Sequence, residues 1–216
     1  MRKALEECLA SLGDVSIAVS GGVDSLTLAV IATRLLGPAR VEIMHAISAA
    51  VPREATERVE MLARSEGFDL TIIDAGEFSD PHYLRNPVNR CFFCKGNLYG
   101  AIAARSSRQV LSGTNLDDLG EYRPGLEAAK NFAVRHPFVE AGIGKQGVRQ
   151  LARDAGLGAL SEISASPMPV QPHRNLDCHP AGNAGGRTPD RDGSDRDPQA
   201  ADRALPRAAQ WCRDRA

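Results

Sequence analysis

The stretch Val15-Ser16-Ile17-Ala18-Val19-Ser20-Gly21-Gly22-Val23-Asp24-Ser25 places an apolar run, two adjacent glycines and the start of a long periodic segment in direct succession. The apolar run predicts a buried strand, and the periodicity of residues 25–36 predicts a helix. Adjacent glycines let the backbone approach an anion closely, and a helix start offers unpaired N–H groups and a positive dipole end. The stretch therefore predicts a phosphate-binding loop, and the alternative is an ordinary Gly-Gly turn.

The polar residues of this loop suit a phosphate group and its metal ion. Ser20 and Ser25 add hydroxyl donors, and Asp24 can hold Mg²⁺ or a backbone amide. The loop differs from the Walker sequence, because no Gly-Lys-Ser/Thr follows the glycines.

Outside this loop, the first 160 residues alternate short apolar runs with longer stretches of helical periodicity. The strand runs are apolar on both faces, so helices should cover both sides of the sheet. The order predicts an α/β fold, a doubly wound and mostly parallel sheet with helices on both faces. The predicted strands are 15–19, 41–45, 70–73 and 109–112. The predicted helices are 2–12, 25–36, 53–66, 95–104 and 144–155.

Charge and cysteine content limit the classes of partner and the compartment. The 216 residues carry 26 basic and 27 acidic side chains, a formal net charge of -1. No global field favours nucleic acid or an anionic membrane, so we expect a small-molecule substrate and neither of those partners. The five cysteines are odd in number and irregularly spaced, and the N-terminus lacks an apolar signal core. We therefore expect a cytoplasmic protein, in which a close cysteine pair indicates metal or redox chemistry.

The sequence changes character after Ser161. Proline, arginine, aspartate, glycine and alanine dominate from there, and residues 185–196 include no large apolar side chain. Such a composition buries too little surface to offset its ordering entropy. We therefore expect a folded domain over residues 1–161 and a disordered, low-order tail over residues 162–216.

Four motifs resemble those of known protein families. Residues Ser20 to Ser25 resemble the PP-loop of the N-type ATP pyrophosphatases, which split ATP between its α and β phosphates. Asn86-Pro87-Val88-Asn89-Arg90-Cys91-Phe92-Phe93-Cys94-Lys95 resembles the Asn-Pro-x-x-Arg-Cys-Tyr-x-Cys-Lys stretch of the LarE-type sulfur transferases. Gly113-Thr114-Asn115-Leu116-Asp117-Asp118 and Glu121-Tyr122-Arg123-Pro124-Gly125 resemble that family's Gly-Thr-Asn-x-Asp-Asp and Tyr-Arg-Pro-Gly stretches. The match continues through Arg135-His136-Pro137 and Lys145 to Leu157, and so covers about three quarters of the chain.

The resemblance implies an ATP-dependent step in the synthesis of the nickel-pincer nucleotide cofactor. The family adenylates a carboxylate of a pyridinium dicarboxylic acid mononucleotide, releases pyrophosphate, and replaces AMP with sulfur to give a thiocarboxylate. In many members one cysteine is the sulfur donor and is consumed, and in others three cysteines hold a [4Fe-4S] cluster. The implied cofactors are ATP and Mg²⁺, with the cluster in that second group. Intact relatives imply a homo-oligomer.

The resemblance also assigns roles to individual residues. Asp24, Cys91 and Cys94 take catalytic roles, the two cysteines also being candidate iron-sulfur ligands, and Asp118 is a candidate magnesium ligand. The candidate nucleotide-binding residues are Ser20, Gly21, Gly22, Val23, Asp24, Ser25, Gly113, Thr114, Asn115 and Arg123.

Several of these residues also suit structural roles. Cluster or sulfur chemistry is the favoured interpretation of the cysteine pair. The alternatives are a redox pair, two structural thiols in a strand-like aromatic run whose Phe92 and Phe93 belong to the core, and zinc. Of Asp117 and Asp118, one should bind metal and one should cap a helix. Arg123 suits either a phosphate or an ion pair.

Four further residues have structural interpretations by default. Lys95 and Lys145 are solvated by default, although a pyrophosphate needs positive charge that the loop does not supply. His45 is interpreted as a satisfied strand-end histidine, and Cys8 as core.

One departure from the family concerns residues 165–174. Relatives carry a Pro-x-x-Pro-Cys-Leu-x-Ser-Arg stretch there, and its cysteine is the proposed sulfur donor or third cluster ligand; this chain lacks it. One coding string for these ten residues, started one base later, translates as Pro-Ala-Pro-Cys-Leu-Ser-Ser-Arg-Ile. We therefore hypothesise a frameshift near Ile163, with an out-of-frame tail and impaired sulfur transfer. The alternatives are another PP-loop adenylating enzyme, such as an amidating ligase or a tRNA thiolase, and a non-catalytic nucleotide-binding remnant.

Overall fold

A four-stranded parallel sheet organises the part of the chain that the computed structural model describes, residues 1–85, 89–120 and 124–162. The strand order is β3-β2-β1-β4, and every pair is parallel. This confirms the predicted parallel α/β sheet. The strands are β1 (Val15–Val19), β2 (Val41–Ala46), β3 (Asp69–Ile73) and β4 (Gln109–Ser112).

Helices follow every strand. The longer helices are α1 (Arg2–Ala10), α2 (Val23–Leu36), α3 (Arg53–Glu66), α5 (Arg90–Ala103), α6 (Pro124–Asn131) and α8 (Lys145–Asp154). The short ones are α4 (Pro81–Leu84), α7 (Pro137–Glu140) and α9 (Gly158–Ser161), with 3₁₀ turns at Pro38–Arg40, Glu77–Ser79 and Leu116–Gly120.

The sheet has apolar layers on both faces, as expected for a doubly wound fold. Because side chains alternate along a strand, Ile17 of β1 packs with helices α1, α2 and α8 on one face. Its neighbour Ala18 packs on the other face with Tyr99 and Ile102 of α5. Not every strand is fully covered. In the edge strand β3, Ile72 is 41% exposed, so our expectation of a strand buried on both faces was wrong there.

Helix α2 lies almost wholly inside the protein. Ten of its fourteen residues are buried, which is the pattern of a helix enclosed by neighbouring elements rather than lying on a surface. Its first turn begins at Val23, two residues before the predicted start, because Gly22 is the N-cap. Asp24 therefore belongs to the first helical turn.

The cysteine pair lies in a helix, and this corrects our strand-like interpretation. Helix α5 begins at Arg90, five residues before its predicted start, so Cys91 and Cys94 occupy its first turns. A short apolar run does not distinguish strand from helix by periodicity. Phe92 and Phe93 are half-buried rather than core residues. Cys8 is also only half-buried, so its assignment to the core was wrong.

The sheet continues beyond β4 through a short bridge at Arg135. Arg135 forms an isolated parallel bridge with Leu111. The backbone N–H of Ser112 donates to the carbonyl of Arg135 at 3.1 Å, and that of Arg135 donates to the carbonyl of Val110 at 3.0 Å. His136 therefore comes directly after Arg135, the residue that pairs with β4.

We predict that Gly113→Ala destabilises the fold and Gly96→Ala does not. A Cβ at Gly113 would lie 2.6 Å from the backbone nitrogen of Ser25, so the β4 loop or the start of α2 must move. The expected loss is about 1–3 kcal/mol of unfolding free energy. Gly96 has open space inside α5, and alanine there should add up to about 1 kcal/mol. Urea denaturation of both variants measures this, and equal stabilities would contradict the close packing.

Candidate functional site

The loop between β1 and α2 begins with a backbone conformation that only glycine adopts without strain. Gly21 has φ +79°, and a Cβ there would lie 2.5 Å from the carbonyl oxygen of Ala55 in α3. The guanidinium Nε of Arg58, one turn further along α3, donates to the carbonyl of Gly21 at 3.0 Å. Helix α3 therefore fixes the shape of the loop from one side.

The hydroxyl groups of the two serines hold the loop together. The hydroxyl of Ser25 accepts from the backbone N–H of Ser20 at 3.1 Å and donates to the carbonyl of Gly22 at 3.2 Å. The hydroxyl of Ser20 lies 3.3 Å from that of Ser25. Ser20 is exposed and Ser25 is buried. The buried hydroxyl thus acts inside the loop, and Ser20 is the serine that a ligand can reach.

Asp24 is a partly buried carboxylate whose bonding is incomplete. Its Oδ2 accepts from the side-chain amide of Asn115 at 3.3 Å, whereas its Oδ1 is buried with no hydrogen-bond partner among the described residues. Burial raises the pKa of Asp24 above its ordinary value; Lys145 lowers it, and Asp118 raises it. A buried acceptor without a partner costs free energy. Asp24 therefore keeps one buried acceptor oxygen that no described residue satisfies.

The loop after β4 brings a second set of polar groups against the first. The Gly113 backbone touches the start of α2, as described above, and the fully buried Asn115 reaches Asp24. Asp118 accepts from the backbone N–H of Asn115 at 3.1 Å. Asp117 accepts from the backbone N–H of Lys145 at 2.5 Å, at the start of α8. Both aspartates therefore bond to backbone amides, and Asp118 is the one whose charge acts on Asp24.

Two cations of α8 lie close enough to Asp24 to lower its pKa. They are Lys145 and Arg149, which are one helical turn apart. Arg149 Nε is buried and has no hydrogen-bond partner in the described ranges. Sequence reasoning singled out Lys145 but missed Arg149 and Arg58. The i, i+4 spacing of Lys145 and Arg149 on one amphipathic helix was the sequence signal that could have identified Arg149.

The described residues fit a magnesium ion. Mg²⁺ in nucleotide sites is held by one or two carboxylates together with substrate phosphates and water. The unpartnered Oδ1 of Asp24, with the carboxylate of Asp118 nearby, supplies such a donor set. We therefore assign Asp24 and Asp118 as the residues that would hold the ion.

The described residues alone do not form a three-ligand site for an iron-sulfur cluster. Cys91 is exposed and Cys94 is half-buried, and burial raises the pKa of the Cys94 thiol. Within residues 1–85, 89–120 and 124–162, no group of three metal-binding side chains occurs. The remaining cysteine of these ranges, Cys8, donates to Glu140 at 3.3 Å, which together with burial raises its pKa to about 11.

Other predicted site residues have different outcomes. His45 is fully buried, with one ring nitrogen 2.9 Å from the Val19 carbonyl and the other 3.0 Å from the Thr56 hydroxyl, which confirms its structural interpretation. Lys95 lies over the ring of Tyr99 with 6.0 Å from its Nζ to the ring centroid. Arg123 and residues 86–88 of the cysteine motif lie outside the described residues, as do residues 163–216 of the predicted tail with Cys178 and Cys212.

Membrane insertion finds no support among the described helices. None of them combines the length and the apolarity that crossing a bilayer requires.

Comparison with known proteins identifies relatives of this chain by sequence. No protein-family model matches it. An uncharacterised protein of Synechocystis is 37% identical over 157 residues, 71% of this chain and 58% of that protein. The pyridinium-3,5-bisthiocarboxylic acid mononucleotide synthase of Lactiplantibacillus plantarum is 29% identical over 168 residues, 76% of this chain and 61% of the synthase. The chain thus spans about three fifths of the length of these relatives.

Comparison with solved structures supports the fold independently. The ammonia-dependent NAD synthetase of Campylobacter jejuni, solved with a nitrate ion, matches with a TM-score of 0.54 at 18% identity. The match covers 72% of this chain and 73% of the synthetase. The resemblance predicted from the motifs is thus confirmed as a similarity: about three quarters of the chain is similar in sequence to the pyridinium-3,5-bisthiocarboxylic acid mononucleotide synthase, and the fold is that of the NAD synthetase.

Proposed function

We propose that this chain is an ATP-dependent adenylating enzyme of the LarE type, acting on a carboxylate of a pyridinium dicarboxylic acid mononucleotide. The unpartnered Oδ1 of Asp24 carries the proposal. It lies in the first turn of the helix that follows a glycine loop, and the charges of a second carboxylate and two cations act on it. That combination suits a magnesium-bound polyphosphate better than a structural turn, because a structural turn gains nothing from a buried carboxylate oxygen without a partner.

The proposed reaction joins the substrate carboxylate to the α-phosphorus of ATP. A carboxylate oxygen attacks that phosphorus, the bond to the bridging α–β oxygen breaks, and pyrophosphate leaves with the bond's electron pair. The loop N–H groups at the start of α2 bind the departing pyrophosphate, and Lys145 and Arg149 offset its charge. Bound Mg²⁺ would neutralise phosphate charge and orient the polyphosphate. The product is an acyl adenylate, whose carbonyl carbon is open to a nucleophile.

Sulfur transfer is the second half of the family reaction, and we propose that this chain performs it poorly. A sulfur nucleophile would attack the acyl carbon and AMP would leave. The family's donor position has no cysteine here, and the segment 165–174 lies outside the described residues. Of the motif cysteines, Cys91 is exposed, whereas burial disfavours the thiolate form of Cys94.

The alternatives differ in what happens to the acyl adenylate. An amidating ligase would pass it to ammonia, a tRNA thiolase would act on RNA, and a remnant would bind ATP without forming AMP. The likeness to an NAD synthetase extends to the fold alone. Pyridinium dicarboxylate-dependent exchange of labelled pyrophosphate into ATP supports the adenylating proposal. ATP binding without exchange would indicate the remnant.

We predict that Asp24→Asn abolishes AMP formation and raises the thermal midpoint of the ligand-free chain. Burial raises the pKa of Asp24, so the ionised carboxylate costs stability above that raised pKa. The gain on substitution should be present at neutral pH and should vanish as pH falls below 3.8, the ordinary value. Thermal melts of both proteins at pH 7 and pH 3 measure this difference in stability. A variant that keeps its AMP formation would remove Asp24 from the mechanism.

We predict that Lys145→Ala raises the KM for ATP by about ten- to a hundred-fold, the cost of one charge-assisted contact. Arg153→Ala is the matched control, because Arg153 lies on the same helix, is exposed and bonds to Gln150. AMP formation at varied ATP concentration measures both. Equal KM values for the two variants would show that Lys145 is an ordinary solvated lysine that does not contact ATP.

We predict that the wild-type chain forms acyl adenylate and pyrophosphate but little thiocarboxylate. Mass spectrometry of the products and of the protein, after reaction with ATP, Mg²⁺ and the pyridinium dicarboxylate, tests this. Stoichiometric thiocarboxylate with loss of one sulfur from the protein would contradict the prediction. The variants Cys91→Ser and Cys94→Ser would then show whether the motif cysteines are the donor.

A further inference from the structure

The carbonyl oxygen of Gly21 in the glycine loop is held by a cation from another element. Arg58 of α3 donates from its guanidinium Nε to this oxygen at 3.0 Å. The direction of the bond is fixed, because a guanidinium only donates and a carbonyl only accepts. Arg58 is half-buried, and its side chain makes no other hydrogen bond to the residues that the structure describes. Arg58 therefore fixes the oxygen side of the peptide that joins Gly21 to Gly22.

This bond also sets where the nitrogen side of the same peptide points. The peptide is trans, so its N–H points away from its C=O. The N–H belongs to Gly22 and donates to the hydroxyl of Ser20 at 3.4 Å. Ser20 is the exposed serine of the loop, which a ligand can reach. The Gly22 N–H therefore faces the side of the loop on which the proposed function places the pyrophosphate.

A peptide between two glycines has little preference of its own for this direction. Turning the peptide plane over would change ψ of Gly21 and would carry φ of Gly22 from −88° into the positive range. Glycine adopts positive φ about as readily as negative φ. The reversed peptide would direct the Gly21 carbonyl toward the bound anion and the Gly22 N–H toward Arg58. The loop thus needs a contact from outside to keep its donor turned toward the ligand.

The start of α3 is anchored to the strand from which the loop departs. Nδ1 of His45, a fully buried residue of β2, donates to the carbonyl of Val19, the last residue of β1, at 2.9 Å. The other ring nitrogen lies 3.0 Å from the hydroxyl of Thr56 in α3. Arg58 therefore reaches Gly21 from a helix whose position relative to the end of β1 is fixed.

We propose that Arg58 is a positioning residue of the pyrophosphate site, which holds the Gly21–Gly22 peptide with its N–H toward the ligand. The inference rests on the proposed function, in which this loop binds the departing pyrophosphate. A hydrogen bond to a charged group is strong enough to change the ratio of the two peptide orientations about ten-fold or more. Arg58 acts through the peptide and needs no contact with the nucleotide.

The matched variants Arg58→Gln and Arg58→Met test the proposal. Both remove the charge and are similar in size, but the amide nitrogen of glutamine occupies the same place along the side chain as Nε, whereas methionine has no donor. We expect Arg58→Met to weaken binding of α,β-methylene ATP with Mg²⁺ about ten-fold in calorimetry, and Arg58→Gln about three-fold or less. Equal losses would overturn the proposal in favour of a direct action of the charge on the anion. Unchanged binding by Arg58→Met would overturn it as well.

The same substitution in a Gly22→Ala background tests the orientation of the peptide itself. Alanine suits the φ of −88°, and its Cβ would lie 3.5 Å from the Ser20 hydroxyl, an ordinary contact. Alanine disfavours the reversed peptide, because a side chain resists positive φ. We expect Arg58→Met to weaken binding less than about two-fold relative to Gly22→Ala alone. A ten-fold loss in both backgrounds would overturn the proposal.

Crystal structures of the ligand-free variants test the orientation without turnover. We expect the reversed peptide, alone or together with the original one, in Arg58→Met, and the original orientation in Arg58→Gln. Only the original orientation in Arg58→Met would overturn the proposal. A wild-type chain that neither binds α,β-methylene ATP nor exchanges labelled pyrophosphate into ATP would overturn the proposed function. The crystal structures would still decide whether Arg58 orients the peptide.

Discussion

The contact on which the site depends is the packing of the Gly113 backbone against the first turn of α2. No side chain fits between them, since even a Cβ would approach the Ser25 nitrogen to 2.6 Å. This contact joins the ends of two neighbouring parallel strands, β1 and β4, and so brings Asn115 within reach of Asp24. Ligands of open α/β sheets bind beyond the carboxyl ends of the strands. This one backbone contact therefore sets the distance between the two polar loops that a ligand would meet there.

The buried start of α2 leaves polar atoms of this site without hydrogen-bond partners among the described residues. Asp24 is partly removed from water, receives one amide contact and keeps one oxygen without a partner. The cations that compensate it come from α8, a helix far away in sequence, whose start is fixed by Asp117. A magnesium ion would supply a partner for the unpartnered oxygen of Asp24, and a polyphosphate would supply an acceptor for the unpartnered Nε of Arg149.

The site also shows how a structural role and a binding role share the same loop. Ser25 uses its hydroxyl to close the turn, whereas Ser20 leaves its hydroxyl exposed. Asp117 and Asp118 both accept backbone N–H groups, yet only Asp118 acts on Asp24. Residue type alone does not separate such roles. Burial and the direction of each hydrogen bond decide which polar atoms remain for a ligand.

The sequence by itself determined the parallel sheet, the strand–loop–helix at residues 15–36 and the resemblance to the LarE-type synthases, because alternation, glycine pairs and helix starts are local signals. It did not determine the helical state of Cys91 and Cys94 or the partial exposure of Phe92, since a short aromatic run suits either secondary structure. Nor did it reveal Arg58 or Arg149. These residues act on Gly21 and Asp24, which lie 37 and 125 positions away along the chain, where no sequence period links them. Only the packing of α3 and α8 against the sheet decided which of their atoms meet.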